Sequence, residues 1–386
     1  KSGYFQLRGP PGLYDLALAG GSAAAAELAP PDRDVRLVDL AGYQALLKVY
    51  FKPASDAAKA AASSPTIADG TQDSYAGAGG DPAKCTETIH IFSVASGHRY
   101  ERLLRIMLLS VRQHTSCPMR IWLVDNFLSP SFRKILPALG RKVGFAVSSV
   151  TYKWPAWLRP QTESQRVIWA YKVLFLDVLF PSQVHKVLFI DADQIVRADV
   201  REVWDTKMRG LAYGFVPFCG SSAYKSKVWS SGEDVDAARN PDTVGFRFWE
   251  QGFWKSHLGP SRHYYISALF LVDLDAFRKL GAGDMIRDIY QQLTRDPGSL
   301  ANLDQDLLNY AQESIPIFTL PAEWLWCETW CSESVKSKAK TIDMCQNPVR
   351  KEGKLQQARR IAPEWTKYDA LLDEYIAEVE ISQDAS

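Results

Sequence analysis

Val187-Leu188-Phe189-Ile190 is an apolar run that stops abruptly at Asp191-Ala192-Asp193. A short run of branched and aromatic residues, without polar alternation, suits a strand covered on both faces. Strands of that kind belong to α/β sheets, whose ligands bind at the carboxyl ends, where the two aspartates fall. A single intervening residue lets both carboxylates reach one small space, and there they repel unless a cation lies between them. A hard divalent ion with oxygen ligands is the natural partner, and it can hold a diphosphate or neutralise a leaving phosphate.

The chain around that strand is divided into unlike stretches. Its 386 residues are enough for one large domain and a smaller appendage. Residues 1–52 read as a β remnant: Tyr14, Leu16 and Leu18 alternate with polar or small residues, as do Val35 and Leu37. Residues 53–84 are Ala, Ser, Gly and Asp with few large apolar side chains, a composition that cannot offset its ordering cost and reads as a linker. From 85 to 386, strand and helix patterns alternate. Ile89–Val94, Ile121–Val124 and Ile266–Val272 read as strands. Tyr100, Leu103, Leu104, Met107, Leu108 and Val111 fall at helical spacing, and Gln165–Phe180 and the stretch from Trp365 to Val379 do the same. This alternation predicts an α/β, mostly parallel sheet.

Basic and acidic side chains number 45 and 44, with no polybasic block. That argues against nucleic acid as partner, and against a metal nuclease, which needs a basic groove. No apolar run is long enough to span a bilayer. The start at Lys1 without a signal peptide, and the end at Ser386 without a retrieval tetrapeptide, read as an excised piece of a longer protein. Cysteines stand at 85, 117, 219, 327, 331 and 345. Zinc at Cys327, Cys331 and Cys345 is conceivable, but no paired Cys-x-x-Cys knuckles or nearby histidine supports it. Disulfides in an oxidising compartment are preferred, with Cys331–Cys345 as the favoured bridge.

Several segments carry a resemblance: IFSVASGHRYERLLRIMLLSV, YKWPAWLRPQTESQRVIWAYKVLFLDVLF, VLFIDADQIVRADV, RHYYISALFLVDL, SLANLDQDLLN, LPAEWLWCETWC and KTIDMCQNP. Together they resemble the catalytic domain of the UDP-glucose:glycoprotein glucosyltransferase family, from about Cys85 to Glu380. The opening YFQLRGPPGLYDLAL resembles the end of the β-sandwich that precedes that domain. The resemblance implies a GT-A type glycosyltransferase fold, a mixed, mostly parallel central sheet flanked by helices. It implies a retaining transfer of glucose from UDP-glucose to a high-mannose N-glycan of incompletely folded glycoproteins in the endoplasmic reticulum lumen. Upstream folding-sensor domains of the same polypeptide are implied partners. Another UDP-sugar transferase of this fold, or a non-catalytic UDP- or glycan-binding module, remains the alternative.

Roles follow residue by residue from the same resemblance. Asp191, Asp193 and Asp343 would hold the metal, calcium or manganese, although glycogenin-like relatives carry histidine at the Asp343 position. Ser93, Val94, Ala95 and Ser96 would line the uridine pocket. Lys172 would face the donor phosphates or sugar, and Ser267 and Ala268 the donor sugar. Asp304 would accept sugar hydroxyls, and Gln305 would lie near the anomeric carbon. The aromatic residues Tyr152, Trp154, Trp157, Trp324 and Trp326 are candidates for contact with an acceptor, with core packing the expected role of at least half of them. Residues 220–245 form a polar loop longer than the family pattern and could alter acceptor access.

Overall fold

The computed structural model describes residues 85, 87–219 and 238–384, together with four short strands nearer the N-terminus. The chain divides into two units, Lys1–Ser74 and Tyr75–Ser386, the division falling within the expected linker. Residues 53–84 and 220–237 lie outside the described residues, as do Leu16 and Leu18. In the first unit, β1 (Gly12–Asp15) pairs antiparallel with β3 (Asp34–Leu37), and β2 (Ala26–Leu28) pairs antiparallel with β4 (Val49–Phe51). Tyr14, Val35 and Leu37 therefore lie in paired strands, as their alternation predicts.

The second unit is built on a seven-stranded mixed sheet. Its strands are β5 (Ile89–Ser93), β6 (Met119–Val124), β7 (Ala146–Val150), β8 (Lys186–Ile190), β10 (Tyr213–Pro217), β11 (Tyr265–Asp273) and β12 (Ile317–Thr319). Their order is β12-β10-β11-β8-β5-β6-β7, with β11 antiparallel to both neighbours and the remaining pairs parallel. A smaller sheet joins β9 (Gln194–Val196), β13 (Trp326–Cys327) and β14 (Thr341–Asp343). The helices are α1 (Gly97–His114), α2 (Pro130–Val143), α3 (Ser164–Leu174), α4 (Leu176–Leu179), α5 (Arg201–Trp204) and α6 (Gly252–Leu258). They continue with α7 (Leu274–Leu280), α8 (Ala282–Leu293), α9 (Leu303–Tyr310), α10 (Lys354–Ile361) and α11 (Trp365–Asp384).

The continuous apolar run of β8 has a direct explanation. Leu188 and Ile190 point into a core shared with Leu104, Met107 and Val111 of α1 and Phe132 and Leu136 of α2. Val187 and Phe189 point the other way, into a core with Val173 of α3, Tyr290 of α8 and Leu307 of α9. Successive side chains of a strand alternate faces, so a strand buried twice must be apolar at every position. A third cluster packs Leu103, Ile106 and Leu109 of α1 against Trp365 and Leu372 of α11 and Ile342 of β14.

The helix expected over Gln165–Phe180 is interrupted. Phe175 leaves helical geometry at φ −125° and ψ 17°, so α3 and α4 are separate. Arg287 of α8 donates to the Leu174 carbonyl at 2.7 Å, giving a partner to an acceptor at the end of α3.

The cysteine reading is corrected in its pairing. Disulfides join Cys85–Cys117, Cys219–Cys331 and Cys327–Cys345, not Cys331–Cys345. Parallel pairing of β13 with β14 sets Cys327 opposite Asp343, beside Cys345, while Cys331 reaches Cys219 just beyond β10. All six sulfurs are used, so the zinc alternative has no thiolate left.

Candidate active site

The strand order reverses around β5: its chain neighbour β6 lies on one side and β8, which follows much later, on the other. Such a switch point leaves a crevice outside the carboxyl ends of the strands. A cavity of about 620 Å³ lies there, lined by residues from both strand ends. Val94, Ala95 and Ser96 follow β5, Asp191 and Asp193 follow β8, and Ser267 and Ala268 come from β11. Ser93 lies behind this wall rather than in it. It is fully buried, and its Oγ donates to the Ile190 carbonyl at 2.6 Å, tying β5 to β8.

The turn from β5 into α1 is shaped for an anionic or polar ligand. Gly97 has φ +76°, a conformation that side-chain-bearing residues rarely adopt. Ser96 makes no side-chain cap, and the first turn of α1 carries no acid, so its amide groups keep their favourable field for negative charge.

Asp191 and Asp193 stand on either side of Ala192, and the small sheet brings the third carboxylate to them. β14 runs antiparallel to β9, Asp343 opposes Gln194, and Met344 N donates to Asp193 O at 3.1 Å. Asp343 is 4% exposed and makes no side-chain hydrogen bond or ion pair within 4 Å among the described residues. Burial pushes its carboxyl well above the usual range, and the charges of Asp193 and Asp191 push it further. Cys327, Asp343 and Cys345 form the group of three that closes within 4.8 Å, but the disulfide leaves only the carboxylate as a ligand.

Two lysines face these acids. Lys172 Nζ lies 2.9 Å from Asp191 and 2.9 Å from Asp304, and sits over the Phe189 ring. Burial alone disfavours its charge, yet Asp191 and Asp304 outweigh burial and hold the ammonium above its ordinary range. Asp191 is pushed up to about 7, first by burial and then by Asp193, against the pull of Lys172. Lys354, at the start of α10, reaches back to Asp193 at 2.6 Å and donates to the Met344 carbonyl. Four carboxylates thus line one cavity with three cations, Lys172, Lys354 and the exposed Arg99, a formal excess of one negative charge when all four acids are ionised. A cation with oxygen ligands suits the adjoining carboxylates Asp191 and Asp193 and the unpartnered Asp343.

Asp304 and Gln305 lie in the first turn of α9, and both line the cavity. Asp304 accepts from Ser267 Oγ at 2.7 Å as well as from Lys172. Asp306 is buried, and its oxygens take Tyr264 Oη at 2.5 Å and Asn302 N at 2.8 Å. Neither carboxylate is a bare nucleophile.

The aromatic candidates fall mainly in the core, the role expected for at least half of them. Trp324 and Trp326 are 1% exposed and belong to the core, while Trp157 is exposed but lies outside the cavity wall. Phe218, Phe248, Trp330 and Trp169 line the cavity instead. Gln165, Ile168, Trp169 and Lys172 all face it, a spacing of three, four and seven that marks one side of α3. That face could be traced from Lys172 once its side was known. Lys354 gave no comparable signal, because it lies in the polar stretch Lys351-Glu352-Gly353-Lys354.

The chain is similar in sequence to known glucosyltransferases. The probable UDP-glucose:glycoprotein glucosyltransferase A of Dictyostelium discoideum is 53% identical over 297 residues, covering 77% of this chain and 16% of that protein. UDP-glucose:glycoprotein glucosyltransferase 1 of Homo sapiens is 45% identical over 389 residues, covering 95% of this chain and 24% of that protein. The chain thus spans a quarter or less of the length of these two relatives. Among solved structures, galactosyltransferase LgtC in complex with donor and acceptor sugar analogues is 15% identical, with a TM-score of 0.49. That likeness covers 73% of this chain and 95% of the other. The glucosyltransferase 24 family matches residues 89–375, nearly the whole of the second unit, and the chain belongs to that family.

Proposed function

We propose that this chain is a metal-dependent glucosyltransferase unit that moves glucose from UDP-glucose to a glycan on a glycoprotein. The observation that carries this reading is the cavity at the switch point, where Asp191, Asp193 and Asp343 converge from distant parts of the chain beside Lys172 and Asp304. Asp191, Asp193 and Asp343 would hold a calcium or manganese ion, which when bound would neutralise the charge of a diphosphate.

The chain's own groups divide the remaining work. The backbone from Val94 to Ser96 and the open start of α1 offer amides to the nucleotide end. Lys172 holds positive charge where a leaving phosphate gains negative charge. Asp304, fixed by Ser267 and Lys172, orients sugar hydroxyls. The engagement of Asp304 and Asp306 argues against a covalent glycosyl-enzyme. Same-face attack is the consistent course. The anomeric carbon–phosphate oxygen bond breaks as the acceptor oxygen bonds to that carbon. The acceptor proton passes to the departing phosphate oxygen, with retention of configuration.

The acceptor we infer is a high-mannose N-glycan of an incompletely folded glycoprotein, presented with the help of upstream sensor domains. Three disulfides, with no free thiol among the described residues, support residence in an oxidising compartment such as the endoplasmic reticulum lumen. No described helix is long and apolar enough to cross a membrane.

The test is UDP release from UDP-glucose, with and without calcium or manganese, in the wild type and Asp191→Ala. UDP-galactose and UDP-N-acetylglucosamine run alongside. Metal-dependent turnover of UDP-glucose, lost in the variant, is expected. Metal-dependent binding without turnover, even with a denatured glycoprotein present, would replace the enzyme by a binding module.

A further inference from the structure

We propose that Tyr264 and Asp306 are a positioning pair that locks the Gln305 amide with its Oε1, not its NH2, turned to the cavity. Tyr264 is fully buried, its ring stacked 5.6 Å from Trp249 at 9° and edge-on to Phe248 and Trp254. A ring packed on several sides holds its hydroxyl in one place. The residue occupied none of the roles that the sequence suggested.

The orientation follows from counting protons. A phenol has one proton to donate, and an ionised carboxylate can only accept. Asp306 Oδ1 lies 2.5 Å from Tyr264 Oη, and the other carboxylate oxygen already takes the backbone N–H of Asn302 at 2.8 Å. The tyrosine proton therefore goes to Asp306. Burial drives the Tyr264 hydroxyl well above its ordinary range and the Asp306 charge adds to this, so the proton stays on the phenol.

With its proton committed, Tyr264 Oη faces Gln305 as an acceptor only. The amide atom beside it, at 3.4 Å, must be the donor Nε2. Oε1 then has no protein partner among the described residues, and Gln305 lines the cavity beside Asp304. A carbonyl oxygen there can accept from a sugar hydroxyl or face positive charge developing at an anomeric carbon; an amide NH2 can do neither.

Two substitutions read the pair. Tyr264→Phe keeps the ring and removes the hydroxyl. Asp306→Asn turns the pair around: its oxygen must face the fixed Asn302 N–H, so its NH2 faces Tyr264, whose proton then points at Gln305. The Gln305 side-chain amide is followed by NMR in glutamine-labelled protein and assigned by its absence in Gln305→Ala. Its resonance is expected to move in both variants. An unmoved resonance in both overturns the proposal.

The kinetic arm rests on the glucosyl-transfer reading. Tyr264→Phe is expected to lower kcat for UDP release about tenfold with the donor KM little changed, a loss confined to the transition state. In a Gln305→Ala background the same substitution should cost nothing further. An equal loss in both backgrounds would make Tyr264 merely structural and overturn the proposal. A moved resonance in protein that never turns over UDP-glucose would support the positioning pair while refuting the transfer reading.

Discussion

Two buried cations of this protein keep similar company and do different things. Arg287 pairs with Asp177 through both nitrogens at 2.8 and 2.7 Å, and approaches Asp284 at 3.1 Å. Lys172 lies equally close to Asp191 and Asp304. The arginine cluster is closed: its planar fork also donates to the Leu174 carbonyl, Gly283 leaves no room for a Cβ beside the Asp177 carboxylate, and the cluster lies outside the wall of the switch-point cavity. The lysine cluster is open and rich in carboxylate, because Asp193 and Asp343 adjoin it, with Lys354 and the exposed Arg99 as the added cations. A buried ion pair is therefore not by itself the mark of a site. A surplus of carboxylate facing empty volume is the better mark.

Removing carboxylates from the open cluster should have the largest effect on activity. Asp191→Ala, Asp193→Ala and Asp343→Ala should each lower metal-dependent UDP release about 10³-fold or more, roughly 4 kcal/mol of barrier. Asp343→Ala should unfold in urea no more readily than the wild type, because that carboxylate has no ion-pair partner, whereas Asp191→Ala and Asp193→Ala also take a partner from Lys172 and Lys354. Chelation should imitate the loss, and added calcium or manganese should restore it. Retained turnover in all three variants would erase the distinction between the clusters.

The closed cluster should answer in stability instead. Arg287→Ala strands the Asp177 carboxylate and should cost about 3–5 kcal/mol in urea unfolding, since one partner of a buried pair is removed. Protein that remains folded should keep its affinity for UDP-glucose. Gly283→Ala places a Cβ 2.4 Å from the Asp177 carboxyl carbon, inside contact distance. Overpacking of that kind should cost about 1–3 kcal/mol. A variant as stable as wild type would show that Asp177 can move, and that the cluster is less rigid than its hydrogen bonds imply.

The smallest effect concerns a group buried without an acid beside it in hydrogen-bonding range. His90, on the same strand as Ser93, accepts from Trp122 Nε1 at 2.8 Å through Nδ1. Burial lowers it to about 4, with Arg120 adding to the effect and Glu87 opposing it. Between pH 6.5 and 4 the unfolded chain binds a proton that the folded protein refuses. Stability is thus fully present above pH 6.5 and drains away as pH falls through 4. Discounted for partial solvent screening, the loss is about 1–2 kcal/mol. His90→Gln should flatten the profile of unfolding free energy over that window. An unchanged slope would place the titrating group elsewhere.

Much of the sheet was legible because double burial leaves a plain trace: β6, β8 and β11 are apolar at most positions, and β5 at three of its five. The helical faces of α1 and α11 were legible from spacing for the same reason. The break at Phe175 left no such trace: the partner of the Leu174 carbonyl there is Arg287, an arginine from another helix. The disulfide pairing was misread because sequence distance says nothing of strand register. Cys331 and Cys327 differ by about one helical turn of chain, and only the β13–β14 alignment decides which meets Cys345.

The carboxylate pair was a property of the sequence alone: two aspartates one residue apart must share a space wherever the strand before them ends. The same holds for the placement of that end in an α/β sheet, since hydrophobic burial is local enough to show in the run Val187–Ile190. Everything that turns the pair into a candidate site was decided by tertiary structure. Asp343 arrives through antiparallel pairing of β14 with β9, Lys354 by reaching back from α10, and the orientation of Gln305 through a proton held between Tyr264 and Asp306. The physical reason is range. Apolar burial is set by each residue's own chemistry, whereas charge balance and hydrogen-bond direction depend on partners that only the folded chain brings within a few ångströms.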